Sequence, residues 1–267
     1  MPVYFHNYVN TDWRSRNAVK NTVNEFLGKI GSNSAFINGY TFHIVDNYDD
    51  LSTQSPFTRH MKKYSDNYKY TGGASYPPEF NNGIREIVLK TEELDVPRKW
   101  FKEHKSKEYI EHATMHEIGH MFDNYYGKKD VSKLKKCLEL PKIDEVEEYT
   151  ESQQKIGNDY YRNKDLSDSK EFKTAWKSDI EKYYRNSNFL EKSRIKEYFL
   201  AFDIDVSDGL NDEEIEKADM LRSEDFAQLF GYAFGKDEGN KNTTLKMLPR
   251  TFMLIKTFIK KYLNVNC

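Results

Sequence analysis

The sequence predicts an α+β fold, with a small twisted sheet in the N-terminal half and a mainly helical C-terminal lobe, divided by one central helix. Three observations predict it. Two short runs rich in β-branched and aromatic residues, Tyr40–Asp46 and Ile84–Leu89, are separated by glycine, asparagine and proline turn signals. From residue 106 onward the apolar residues recur at helical spacing instead. The chain then closes on a clean apolar stripe, formed by Phe252, Ile255, Phe258, Ile259 and Tyr262. A length of 267 residues suits one domain of two lobes, 1–105 and 106–267.

The elements follow in order. Residues 11–30 read as a helix capped by Thr11 or Asp12, with Val19, Val23, Phe26, Leu27 and Ile30 on its apolar face and Gly28 and Gly31 marking its end. Tyr40–Asp46 (YTFHIVD) is a strand, and His43 within it reads as a satisfied sheet histidine. Residues 47–68 are polar and read as irregular. Tyr70–Tyr76 (YTGGASY) is a short strand weakened by glycine and stopped by Pro77 and Pro78, a composition that suits a sheet edge. The turn Asn81-Asn82-Gly83 leads from it into Ile84–Leu89, so the two strands make a hairpin that feeds, after Pro97, into the central helix. That helix spans Ser106–Gly127, with Ser106 as N-cap. Beyond it, helices are expected over 130–139, 144–156, 168–185, 191–202, 211–218, 223–234 and 249–263, the last with Pro249 in its first turn.

Composition narrows the function. Lys+Arg 41 and Asp+Glu 43 nearly cancel, to a formal net charge of −2, which gives no support to nucleic-acid binding. The mean hydropathy is −0.87. Tyr 19 and Phe 17 must therefore supply much of the core. No apolar run reaches the roughly eighteen residues of a membrane-spanning helix. The start, MPVYFHNYVNTDW, lacks the basic and apolar regions of a secretory signal, which leaves open a cytoplasmic protein, one delivered by another route, or a trimmed mature form. Cys137 and Cys267 have no metal-site spacing and imply no disulfide framework.

The chemistry sits on the central helix. His116, Glu117 and His120 have the H-E-x-x-H spacing of a zinc-dependent hydrolase. Residues four apart lie one above the other on a helix, so both imidazoles can reach one Zn²⁺. Glu117, rotated by about 100°, flanks that face and can take a proton from water without ligating the ion. Tyr109, His112, His116, His120 and Asp123 share the polar face, while Ile110, Thr114, Ile118, Met121 and Tyr125 share the opposite one. Gly119 and Ala113, at the edges of the polar face, let another chain approach. His112 lies four residues before His116, but Ala113 follows it where a glutamate would be needed, so it reads as a neighbour of the ligands or a surface residue. A third protein ligand must come from another helix and leave one position open. Glu197 (EYFLAF) and Glu224 (EDFAQLF) both begin acidic-aromatic helices, and periodicity does not choose between them.

Three blocks in order, HEIGHMFDNYYG (116–127), EDFAQLF (224–230) and LPRTF (248–252), resemble the catalytic domain of anthrax toxin lethal factor and its relatives, among them the proline-specific endopeptidases of clostridia. The resemblance covers roughly residues 70–265. It implies a zincin fold of the gluzincin type and a zinc-dependent endopeptidase, either a toxin or a secreted or delivered effector, acting on a protein or peptide substrate. It makes His116, His120 and Glu224 the zinc ligands, since Glu224 stands 25 residues before Pro249, the family's interval from ligand helix to closing helix. Glu117 becomes the general base, Asp123 an acid that orients a ligand histidine, and Gly73, Ala74, Ser75 and Tyr76 the edge strand that pairs with extended substrate. Two departures stand out. The interval from His120 to Glu224 is 104 residues, much longer than in lethal factor, which implies a helical insertion around 185–222. Lys217 occupies the position of the family's oxyanion-stabilising tyrosine, seven residues before the ligand glutamate.

Two other functions fit the same residues. One is an intracellular regulatory metallopeptidase that cuts a repressor-like protein, because HEIGH-type motifs occur there too. The other is a catalytically weak pseudo-peptidase that only binds, supported by Lys217 and opposed by the intact Glu117. A second cofactor, Ca²⁺, is a candidate at Asp203, Asp205, Ser207, Asn211 and Glu214, which fall at positions 1, 3, 5, 9 and 12 of an EF-hand loop. Asp208 stands where that loop turns on glycine, and an acidic surface turn is the alternative.

Overall fold

Asp12 accepts a hydrogen bond from the Ser15 amide (3.1 Å) and so caps the first helix, α1 (Trp13–Ile30), which ends where Gly31 takes a positive φ of 54°. The computed structural model describes residues 2–8, 11–52, 55–63, 65, 73–75, 78, 81, 83–91, 107–127, 165–200, 204, 206, 210–236 and 241–266. Within them the α+β class holds. Strands β1 (Tyr4–Asn7), β2 (Thr41–Val45), β3 (Gly73–Ser75) and β4 (Glu86–Lys90) form one mixed sheet in the order β1-β2-β4-β3. β1 and β4 flank β2 in parallel. β3 lies antiparallel on β4, with Gly73 opposite Leu89 and Ser75 opposite Ile87, the hairpin that the glycine and asparagine turn predicts. β1 is not foreseen by the sequence pattern.

Side chains alternate across the sheet. Phe42, Ile44, Ile87 and Leu89 face the main core, where they join α1 and the central helix α3 (Lys107–Tyr126). His43, Val45 and Val88 face the other way. There the described part of the segment expected to be irregular holds regular structure: a 3₁₀ turn at Tyr48–Asp50 and helix α2 (Pro56–Lys63) bury Tyr48, Leu51, Phe57 and Met61 against Val45 and Val88. Four well-placed large side chains suffice to cover a small sheet, although the intervening residues are polar. His43 is satisfied as expected, between the Tyr8 hydroxyl (3.0 Å) and the Glu86 carboxylate (3.2 Å).

The C-terminal half is helical: α4 (Lys170–Asn186), α5 (Phe189–Leu200), α6 (Asp212–Lys217), α7 (Asp219–Ala233), α8 (Lys241–Met247) and α9 (Pro249–Leu263). Aromatic pairs carry much of the packing, among them Phe26 with Phe234 (4.9 Å between centroids) and Phe122 with Phe230 (5.0 Å). The first turn of α9 is capped from a distance, by Asp179 of α4 accepting from the Thr251 amide (2.8 Å). The expected helices over 130–139 and 144–156 lie outside the described residues, as do Cys137, Cys267, Tyr76, Asp203, Asp205 and Ser207. The two described members of the candidate calcium loop, Asn211 and Glu214, form a capping box that starts α6. Among the described residues no helix is long and apolar enough to cross a membrane.

What positions the site is the contact of α3 with α7. A Cβ on Gly119 would stand 2.9 Å from the Ala227 Cα and 3.1 Å from its carbonyl oxygen, and one on Gly231 would stand 3.0 Å from the His112 ring. The small residue inside the motif thus lets another helix approach, as the helical chart requires. Gly119→Val should lower Tm by several degrees, because the clash is with backbone that cannot step aside and such overpacking costs about 1–3 kcal/mol. A thermal melt that matches the wild type would show that the two helices can separate freely.

Candidate active site

Helix α3 presents His116 and His120 one turn apart, and α7 brings Glu224 against them. The two Nε2 atoms are 3.1 Å apart; His116 Nε2 lies 3.1 Å from Glu224 Oε2 and His120 Nε2 lies 3.5 Å from Glu224 Oε1. Donors arranged tetrahedrally at 2.0–2.1 Å from one zinc ion stand about 3.3–3.4 Å from one another. The His₂Glu set therefore has the chemistry and the spacing to hold such an ion, and it is the group of metal-type side chains that converges among the described residues. Glu224, half-exposed, opens the cluster to solvent. Glu197, the other candidate, lies exposed on α5 and takes no part in the cluster.

Partial burial works to raise the half-exposed Glu224 carboxyl, but hydrogen bonds from His116 and His120 overcome it and hold the group well below the usual carboxylate range. On the far side of His120, Nδ1 shares a hydrogen bond with the Ser223 hydroxyl (3.2 Å), which leaves Nε2 to face the cluster.

Glu117 sits beside the ligands without joining them. Its side chain is buried between α3 and β3, where it meets Gly73 and lies near Ser75. Burial pushes its carboxyl up to about 7, opposed by the nearby His116 and Ser75 and reinforced by Glu224. A carboxyl with a value near neutrality is suited to accept a proton and return it.

Other residues stand differently from expectation. Asp123 does not orient a ligand histidine. Both its oxygens are taken by Ser167, from the backbone amide (2.8 Å) and the hydroxyl (2.7 Å), because the turn at 165–168 covers that stretch of α3. The same turn is held from the α7 side by Arg222, paired with Asp168 (2.6 Å). His112 is buried rather than exposed, with its ring nitrogens at Gln228 Oε1 (2.9 Å) and the Lys236 carbonyl (3.1 Å), so it fastens α3 to α7. Lys217 points to solvent and pairs with Glu213 (2.7 Å). Ala74 turns to the opposite face of the sheet from Gly73 and Ser75, while Tyr76 lies outside the described residues.

One buried acid went unnoticed in the sequence. Asp225, next to Glu224, accepts hydrogen bonds from Trp176 Nε1 of α4 (2.7 Å) and the Tyr198 hydroxyl of α5 (3.2 Å). Burial pushes its carboxyl up to about 7 against those bonds, and the helix that carries the third candidate ligand is thereby tied to both neighbours. The only signal was the acidic doublet Glu224-Asp225, in which one acid must face away from the other on a helix. Compared with models of known families and with curated proteins, the chain matches none.

Proposed function

We propose that this chain is a zinc-dependent endopeptidase of the lethal factor-like, gluzincin type, built on a zincin fold. The observation that carries the proposal is the convergence of His116, His120 and Glu224 beside a buried Glu117 that rests on an edge strand. His116, His120 and Glu224 would hold the ion. A zinc ion held there supplies Lewis acidity to water and to the scissile carbonyl. Glu117 accepts a proton at its carboxylate from the attacking water, and it delivers that proton to the amide nitrogen as the C–N bond breaks. The products are a carboxylic acid and an amine, which balances one water against one peptide bond. Among the described residues β3 is the margin of the sheet, so an extended substrate can pair with it through backbone groups.

The experiment is cleavage of a proteome-derived peptide library by the zinc-loaded protein, with new N-termini read by mass spectrometry and the chelator-stripped protein as blank. A defined set of cut sites that depends on the metal supports the proposal; a library left intact by the loaded protein sinks it. A second reading, a weak or inactive binding module, is favoured by Lys217, whose side chain points away to Glu213. That reading expects zinc to bind and no bond to be cut.

A further inference from the structure

Strand β3 turns two of its residues, Gly73 and Ser75, toward α3. We propose that Gly73 and Ser75 are positioning residues for Glu117, Gly73 by leaving the space in which the carboxylate lies and Ser75 by donating a hydrogen bond to it. The proposal deepens the peptidase reading and rests on it for its catalytic meaning.

Four observations carry it. The register with β4 puts Gly73 and Ser75 on the face that looks at α3 and puts Ala74 on the other. A Cβ at Gly73 would stand 2.9 Å from both Cγ and Oε1 of Glu117 and 3.1 Å from Cδ. Gly73 has no positive φ, so the backbone does not require glycine, and glycine within a strand marks a close approach. Ser75 is near enough to the Glu117 carboxyl for its hydroxyl to favour the charged form against burial.

The contrast with Gly119 gives the expected phenotype. At Gly119 an added methyl meets backbone, whereas at Gly73 it meets the far end of a flexible side chain. Gly73→Ala therefore displaces the Glu117 carboxylate and leaves the fold intact. Because β3 is also the strand on which a peptide docks, the element that receives substrate and the element that sets the proton acceptor are one and the same.

The test uses Gly73→Ala, Ser75→Ala and Ser75→Thr in the full chain loaded with zinc, on a peptide that the wild type cuts. Gly73→Ala and Ser75→Ala should lower kcat by about 10–100-fold, the scale of a misplacement near 1 Å, with KM nearly unchanged and zinc content equal to wild type. Ser75→Thr, which keeps the hydroxyl, should restore most of kcat. A rise in KM with kcat unchanged would make these residues substrate contacts only and overturn the proposal. A second measurement needs no activity. In the metal-free protein the Tm shifts of Ser75→Ala and Glu117→Ala should fail to add, by about 2–4 °C in the double variant. Additive shifts overturn the contact. If the wild type cuts no peptide, the peptidase reading falls while this cycle still decides whether Ser75 holds Glu117.

Discussion

Glu117→Gln should abolish peptide hydrolysis, leave zinc bound and make the metal-free protein more stable at pH 8. The first effect follows from removal of the proton acceptor, a role that contributes about 10²–10⁴-fold. Zinc is retained because Glu117 lies beside the His116, His120 and Glu224 cluster and outside it. The stability gain follows from burial, which raises the Glu117 carboxyl from 4.5 to about 7. A carboxyl whose folded value is raised contributes stability that is fully present below its unfolded value. That contribution is lost as pH climbs to the folded value. Between pH 4.5 and about 7 the wild type therefore loses up to on the order of 2–3 kcal/mol from this group. The glutamine variant does not titrate and keeps its stability. Thermal melts of both metal-free proteins from pH 5 to pH 8 should show a Tm difference that widens with pH. Asp225 is shifted in the same direction in both proteins and cancels in the difference. Parallel Tm curves would contradict the buried, raised state of Glu117.

Glu224→Ala should remove zinc affinity and activity together, whereas Glu197→Ala should leave both close to wild type. Among the described residues Glu224 is the carboxylate that reaches both imidazoles, at 3.1 and 3.5 Å, so its loss leaves two nitrogen donors on one helix there. The affinity loss should exceed the ~10–100-fold that follows from removing a mere supporting partner of a ligand. Competition against a chromophoric chelator measures it directly. Metal retained in Glu224→Ala and lost in Glu197→Ala would reverse the assignment. The metal-free Glu224→Ala protein should also be less acid-sensitive than wild type. The Glu224 carboxyl is held low, and a group shifted that way contributes stability above its unfolded value that is lost as pH falls.

Long periodic segments were legible before the structure was known, because a helix announces its buried face every three to four residues. α9 runs over Pro249–Leu263, the range its apolar stripe marks out. The histidine pair on α3 was legible for the same reason, and so was the antiparallel pairing of β3 with β4. Several short elements were not. β1 has four residues and lies parallel to β2, so no local turn betrays the pairing. α2 and α8 hold too few turns for a period to emerge. The partners of buried polar groups were the hardest to see. Asp123 shares the helix face of the histidines, yet it serves Ser167, 44 residues later in the chain. His112 and Asp225 likewise find their partners on other helices. Spacing along one helix tells which face a side chain shares and says nothing of what arrives opposite it.

The candidate donors come from two helices whose ligand residues are 104 positions apart in the chain. An ion held by them acts as a removable staple between distant parts of the polypeptide. Unlike a disulfide, it does not persist when the chain opens, so its contribution follows the free metal concentration by mass action. That contribution is about 2.7 kcal/mol at a hundred times Kd and about 4.1 kcal/mol at a thousand times. Metal supply would then govern durability as well as chemistry. Under the proposed reading, the molecule would resist heat and proteolysis better in a zinc-rich setting, and in a zinc-poor one it would be inactive and easier to degrade.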